Sequence, residues 1–76
     1  MTKELVAHIV KQLVNHPDDV YISIIKSGDK SLIEITVNEQ DRGKVIGREG
    51  QIIKAIRLLV NAIVVDNKKI AVDVAR

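Results

Sequence analysis

Two glycines three residues apart, Gly47 and Gly50, interrupt the most helical part of the sequence, "DRGKVIGREGQIIKAIR" (41–57). Glycine destabilises a helix interior by about 0.5–1 kcal/mol relative to alanine, so the pair predicts a tight loop between two helices. Because neither glycine has a Cβ atom, a ligand could approach the main chain closely. The amides around Gly50 and Gln51 begin the next helix, and such amides are unpaired and partly positive. With Arg48 at the loop tip, the arrangement predicts a binding site for phosphate.

Positive charge is concentrated around this loop. Residues 42–57 contain five basic side chains and one acidic side chain, a formal charge of +4 in a chain whose total is +2. The basic residues are Arg42, Lys44, Arg48, Lys54 and Arg57. A local basic patch is the usual electrostatic sign of nucleic-acid binding.

Apolar periodicity predicts the elements that precede the loop. A helical stripe runs from Thr2, a candidate N-cap, towards Pro17, which ends the pattern; it consists of Leu5, Val6, Ile9, Val10, Leu13 and Val14. The segments 20–26 and 31–37 alternate in polarity and predict two strands, joined as a hairpin by "SGDK" with Gly28 in the turn. The residues expected to face the core are Val20, Ile22, Ile24, Ile33, Ile35 and Val37.

Two helices and a strand follow. Asn38 is a candidate cap for a short helix that leads into the loop, with Glu39 and Asp41 in its first turn. After the loop, an amphipathic helix carries the apolar residues Ile52, Ile53, Ile56, Leu59, Val60 and Ile63. "VVDNKK" (64–69) predicts a turn, and "KIAVDVA" (69–75) predicts a strand with Ile70, Val72 and Val74 on one face.

These elements give the order α-β-β-α-α-β and the class α+β. Each strand has one apolar face, so we expect a three-stranded sheet covered on one face by three helices. A crossover through the paired helices allows the last strand to run parallel to its neighbour, which makes the sheet mixed. At 76 residues, the chain should form a single domain, 1–76.

The sequence shows no sign of catalysis, a metal or a cofactor. It has no cysteine, so disulfides and thiolate metal sites are excluded. His8 and His16 have no carboxylate or thiol at ligand spacing and are expected at the surface. The sequence has no nucleophile, histidine and acidic residue in the arrangement that hydrolases use. The glycine loop is not a Walker loop either, because Gln51 and Ile52 occupy the positions where that loop needs lysine and then serine or threonine. With no signal peptide and no apolar run long enough to span a membrane, we expect a cytoplasmic protein.

The sequence around the glycines resembles the signature of KH domains. "GKVIGREGQIIKAIR" (43–57) matches the V-I-G-x-x-G-x-x-I core, and the predicted element order resembles the type II KH fold. The resemblance covers nearly the whole chain, and a lone KH domain of this length is similar to the small KhpA-type RNA-binding proteins of bacteria. Such membership implies that about four nucleotides of single-stranded RNA bind with the glycine loop against their backbone.

Carried over by position, the resemblance assigns the RNA-binding residues. The loop is formed by Gly47, Arg48, Glu49 and Gly50. The wall of an apolar groove is assigned to Ile46 and Ile53. Contacts with phosphate or sugar are assigned to Lys44, Lys54 and Arg57. The acidic Glu49 makes this loop less attractive to phosphate than a loop with two basic residues.

A small domain with a single aromatic residue, Tyr21, cannot gain much affinity from stacking of bases on aromatic rings. Weak binding by one domain favours a homodimer, or a heterodimer with another KH protein, and the resemblance suggests such dimers too. The candidate dimer surface consists of outward strand residues, Tyr21, Ile25 and Leu32, because exposed apolar patches often mark interfaces. The edge of the first helix near His8 and Gln12 is a second candidate.

The leading interpretation is therefore a non-catalytic protein that binds short single-stranded RNA, in post-transcriptional regulation or as an RNA chaperone. The alternative is a protein-interaction module in which the KH fold serves assembly and binds little nucleic acid. Loss of RNA binding on disruption of the loop, with the fold intact, would separate the two.

Overall fold

The computed structural model describes residues 2–63 and 70–75 and confirms the predicted order of elements. The helices are α1 (Thr2–Leu13), α2 (Arg42–Ile46) and α3 (Gln51–Ile63), and the strands are β1 (Tyr21–Ser27), β2 (Lys30–Thr36) and β3 (Ile70–Val74). Short 3₁₀ turns occupy Pro17–Asp19, Glu39–Asp41 and Arg48–Gly50. The turn predicted at 64–69 lies outside the described residues.

The three strands form one mixed sheet in the order β1-β2-β3. β1 and β2 are antiparallel, with Ile22 opposite Ile35, and are joined by a turn in which Gly28 has a φ of 60°. β2 and β3 are parallel, with Ile33 opposite Val72. A parallel pair needs a crossover connection, and the chain between β2 and β3 contains α2 and α3.

The helices bury their apolar stripes against one face of this sheet. The core cluster consists of Val6, Val10, Val20, Ile22, Ile33, Ile35, Val45, Ile53, Ile56, Val60, Val72 and Val74. Every helix and every strand contributes to it, so the positions of α2 and α3, and of the loop between them, are set by contacts with the whole domain. The predicted α+β class and mixed sheet are confirmed.

Fewer apolar residues are buried in the core than the apolar pattern predicts. Ile24 shares a face with Ile22, yet it is 43% exposed whereas Ile22 is 7% exposed, so only the start of β1 is covered. On α3, Leu59 and Ile63 are about half exposed, and the buried stripe is limited to residues closer to the sheet. Val37 lies beyond the end of β2 and is only half-buried.

Candidate nucleic-acid interface

The loop between α2 and α3 is a tight turn with an unusual backbone. Gly47 ends α2 with φ 76° and ψ 171°, and its N–H donates to the carbonyl of Gly43 at 2.9 Å. Gly50 has a φ of 73°, and Glu49 between them has a φ of 56°. Three of the four loop residues, Gly47, Glu49 and Gly50, therefore have positive φ, which only glycine adopts without cost. The predicted interruption of the helix is confirmed.

The two glycines are needed for different reasons. A Cβ atom on Gly47 would lie 2.6 Å from Cγ1 of Ile52, so the missing side chain makes room for a residue of the same chain and not for a ligand. At Gly50 the nearest atoms to such a Cβ, on Ile53 and Lys54, are 3.9 Å away. Close approach of a ligand to the main chain is therefore a property of the Gly50 side of the loop.

The prediction of unpaired amides around Gly50 and Gln51 is wrong. The Gly50 N–H donates to the carbonyl of Gly47 at 3.1 Å, and the Gln51 N–H donates to the carbonyl of Arg48. These two bonds close the 3₁₀ turn, so both N–H groups are already paired within the chain. The aligned peptide dipoles of α3 still give its first turn a partial positive charge, so attraction for an anion there comes from the dipole and from side chains.

The basic residues assigned to the site differ in their surroundings. Arg48 at the tip of the loop and Lys54 in the second turn of α3 are exposed. Lys44 on α2 is partly exposed, and its Nζ lies 3.6 Å from Oδ1 of Asp41. Arg57 is also exposed, but its Nη2 donates to the carbonyl of Val72 on β3 at 3.0 Å. Lys44, Arg48 and Lys54 thus lie on the segments that enter, form and leave the loop. Arg57 lies one turn after Lys54 on the same face of α3 and is bonded to β3.

The two isoleucines assigned to the groove wall lie at different depths. Ile46 is half-buried and packs against the edge of the core, whereas Ile53 is 7% exposed and belongs to the core cluster. Ile46 therefore offers more apolar surface to a ligand than Ile53 does.

A family model for the KH domain of KhpA/KhpB matches residues 3–75 of the chain. The chain belongs to this KH-domain family. Similar curated relatives are named RNA-binding protein KhpA: that of Thermotoga maritima is 39% identical over 97% of this chain and 99% of the relative. That of Clostridium perfringens is 42% identical over 95% and 97%, and that of Listeria monocytogenes is 42% identical over 95% and 96%. No solved structure is significantly similar to the chain.

A buried carboxylate next to the site was missed by the sequence reasoning. Asp41 of this KH domain is fully buried, and it accepts hydrogen bonds from the backbone N–H of Asn15 (3.2 Å) and of His16 (2.9 Å). The Nδ1 atom of His16 lies 2.9 Å from the same carboxylate. Asp41 therefore ties the residues after α1 to the start of α2. The His16 side chain is 41% exposed and lies at the surface as predicted, with Nδ1 turned towards this carboxylate.

The surroundings of Asp41 favour its charged form. Burial raises the pKa of this carboxyl group, but the hydrogen bonds from His16 and Asn15 together outweigh burial, so the pKa lies below its ordinary value. The sequence contains no signal for this cluster because residues 15 and 41 are distant along the chain.

A second missed feature joins α3 to the outer edge of β3. The side-chain amide of Asn61 donates to the carbonyls of Arg57 (2.8 Å) and Ile70 (3.0 Å), and its oxygen accepts from the N–H of Ile70 (3.2 Å). With the bond from Arg57 to Val72, these contacts form what we call the α3–β3 seam, defined by Arg57, Asn61, Ile70 and Val72. The seam fixes the distance between the helix that leaves the loop and the edge of the sheet.

The described part of the chain contains no group of three histidine, cysteine or acidic residues that could hold a metal ion. In residues 2–63 and 70–75, no helix is long and apolar enough to cross a membrane.

Proposed function

We propose that this chain binds short single-stranded RNA and catalyses no reaction. The observation that carries the proposal is the loop from Gly47 to Gly50, a tight turn at the start of α3 in a chain of the KhpA/KhpB KH family. KH domains hold nucleotides by clamping the backbone with such a loop. The names of the KhpA relatives, which describe RNA-binding proteins, support the same function here.

In the proposed complex, the sugar–phosphate backbone lies against the Gly50 side of the loop. That side has room for close approach, and Arg48 and Lys54 are exposed next to it. Lys44 supplies further positive charge from α2. Ile46, with a smaller contribution from Ile53, forms the apolar wall against which a base rests. Glu49 repels phosphate and weakens the affinity.

We place this activity in the cytoplasm, in post-transcriptional regulation or as an RNA chaperone, with residues 1–76 acting as one domain. Pairing with a second KH protein, or with another copy, would raise the affinity of a weak single site by increasing the effective concentration. The outward face of the sheet supports this pairing, because Tyr21 is 64% exposed and Ile25 is about half exposed. Leu32, the third residue of this candidate surface, is half-buried.

A charge reversal at the loop tip tests the proposed site. Arg48→Glu should weaken binding of a fluorescein-labelled RNA octamer by about tenfold or more, because it removes a charge-assisted contact and adds repulsion. Lys11→Glu is a matched control: it makes the same change of charge on α1, where Lys11 lines a hollow with Tyr21 at the β1 edge.

Fluorescence anisotropy measures the affinity, and circular dichroism checks that both variants remain folded. Equal affinities of folded Arg48→Glu and Lys11→Glu would refute the loop as the binding site. They would favour a protein-interaction module instead.

A further inference from the structure

The binding site proposed above leaves one basic residue of α2 unused, Arg42. Its side chain lines a hollow where β2 and β3 end, and the other residues around this hollow are Thr36, Val37, Glu39 and Ala75. Arg42 is half-buried, and its Nε atom is buried without a hydrogen-bond partner. A buried donor without a partner is uncommon in folded proteins, and a position that an ion completes is one explanation for it.

The positive charge of Arg42 is not compensated within residues 2–63 and 70–75. The other basic side chain of α2, Lys44, has its Nζ 3.6 Å from the buried carboxylate of Asp41, whereas Arg42 has no ion pair or side-chain hydrogen bond in this part of the chain. Only its Nε is buried, so both Nη atoms reach solvent. The two Nη groups form a parallel pair of donors, which is complementary to two oxygens of one phosphate.

We propose that Arg42 binds a phosphate of the RNA strand beyond the nucleotides that the glycine loop holds, an inference that rests on the RNA-binding function proposed above. Arg42 and Ile46 are four residues apart on α2, so they share a face and lie about 6 Å apart along the helix axis. A strand that passes Ile46, the proposed apolar wall, and continues away from Gly47 therefore reaches Arg42. The bound segment is then longer than the segment of about four nucleotides that a KH loop clamps.

Glu39 opposes this contact and provides a second test of its position. It is exposed and lines the same hollow, so a phosphate bound to Arg42 would also lie near this carboxylate. Repulsion between exposed groups is weakened by solvent and salt, whereas a bidentate bond between a guanidinium and a phosphate is among the stronger polar contacts. The hollow therefore attracts phosphate on balance, and removal of the Glu39 charge should strengthen that attraction.

The length of the RNA separates this contact from the contacts at the loop. The probes are oligouridines of four and eight nucleotides, and NMR titration of the isotope-labelled protein measures weak and strong binding and shows that each variant is folded. Arg42→Gln should weaken binding of the octamer about 3- to 10-fold, between an exposed ion pair and a charge-assisted bond. It should also make the salt slope for the octamer less steep by about 0.7. The tetramer should bind Arg42→Gln and the unmodified protein equally, because the loop alone holds it.

Two further variants complete the test. Lys11→Gln removes the same charge from α1 and should leave the binding of both oligomers unchanged, so an equal effect of Lys11→Gln and Arg42→Gln on the octamer would overturn the proposal. Glu39→Gln leaves Arg42 in place and should strengthen binding of the octamer alone by about twofold. An octamer that binds Glu39→Gln no better would overturn the placement of a phosphate in this hollow.

The remaining outcomes for Arg42→Gln are also decisive. Equal weakening of the tetramer and the octamer would overturn the proposal, because Arg42 would then act on the loop. Unchanged binding of the octamer, or weaker binding with an unchanged salt slope, would overturn it too. Absence of binding of either oligomer to the unmodified protein would instead refute the RNA-binding function itself.

Discussion

Gly47 should be the least replaceable glycine in the domain. Its φ of 76° and ψ of 171° lie in a region that is essentially restricted to glycine, and another residue there costs about 1–3 kcal/mol. A Cβ atom would also lie 2.6 Å from Cγ1 of Ile52, and relief of such overpacking costs about 1–3 kcal/mol. Gly47→Ala should therefore destabilise the fold by about 2–6 kcal/mol, a large part of the total of about 4–11 kcal/mol that is typical for this chain length.

Two other glycines provide matched controls for this substitution. Gly50→Ala meets no atom closer than 3.9 Å, so it should cost only the backbone penalty of a positive φ, about 1–2 kcal/mol. Gly43→Ala lies within α2 and meets nothing within 4 Å, so it should stabilise the fold by about 0.5–1 kcal/mol. Urea unfolding followed by circular dichroism gives all three free energies of unfolding.

A double-mutant cycle isolates the steric contribution. Ile52→Ala removes the Cγ1 and Cδ1 atoms that approach Gly47, so Gly47→Ala should be less damaging in that background by about 1–3 kcal/mol. If Gly47→Ala and Gly50→Ala cost the same, or if the cycle shows no coupling, the contact with Ile52 does not explain the need for glycine at this position.

Three further predictions concern the site and its surroundings. If two or three of Lys44, Arg48 and Lys54 contact phosphates, the slope of log affinity against log salt for a single strand should be about −1.4 to −2.1. Replacing each contacting residue by alanine should make the slope less steep by about 0.7. An affinity independent of salt contradicts these contacts. The pKa of Asp41 is lowered in the folded chain, so its stabilisation is complete above the ordinary carboxyl pKa and is lost as the pH falls through the lower folded value. Asp41→Asn should therefore reduce stability at pH 7 and flatten its loss in acid, and equal acid unfolding curves for the two proteins would refute this role. Analytical ultracentrifugation at tens of micromolar should show a dimer that Tyr21→Lys weakens, and a strictly monomeric unmodified protein would rule out self-association.

The features that sequence reasoning predicted correctly depend on neighbours along the chain. Alternation in 31–37 predicts a strand because successive side chains point to opposite faces, and the structure places Ile33 and Ile35 in the core. The sequence predicts Asn38 as a cap, and its side chain accepts a hydrogen bond from the N–H of Gln40 at 2.9 Å. The loop from Gly47 to Gly50 belongs to the same class, because glycine spacing and the helical periods on both sides are local properties.

The features that sequence reasoning missed depend on residues brought together by folding. Asp41 is typical of a first-turn acid, and only tertiary structure shows that it binds the backbone N–H of His16. The KH resemblance assigns Arg57 to phosphate or sugar, and its bond to the carbonyl of Val72 depends on the position of β3 relative to α3. The exposure of Ile24 likewise depends on tertiary packing, since Ile22 on the same strand and face is buried.

Asn61 also affects how this domain behaves at high concentration. An open strand edge is a template for pairing with other chains and for aggregation, and proteins protect such edges with covering groups or with lysine. On β3, the amide of Asn61 imitates a neighbouring strand at Ile70, since it both donates to and accepts from that residue. On β1, the opposite edge of the sheet, Lys26 is exposed. The α3–β3 seam thus gives this small sheet a protected edge, and any strand added from another molecule should pair with β1.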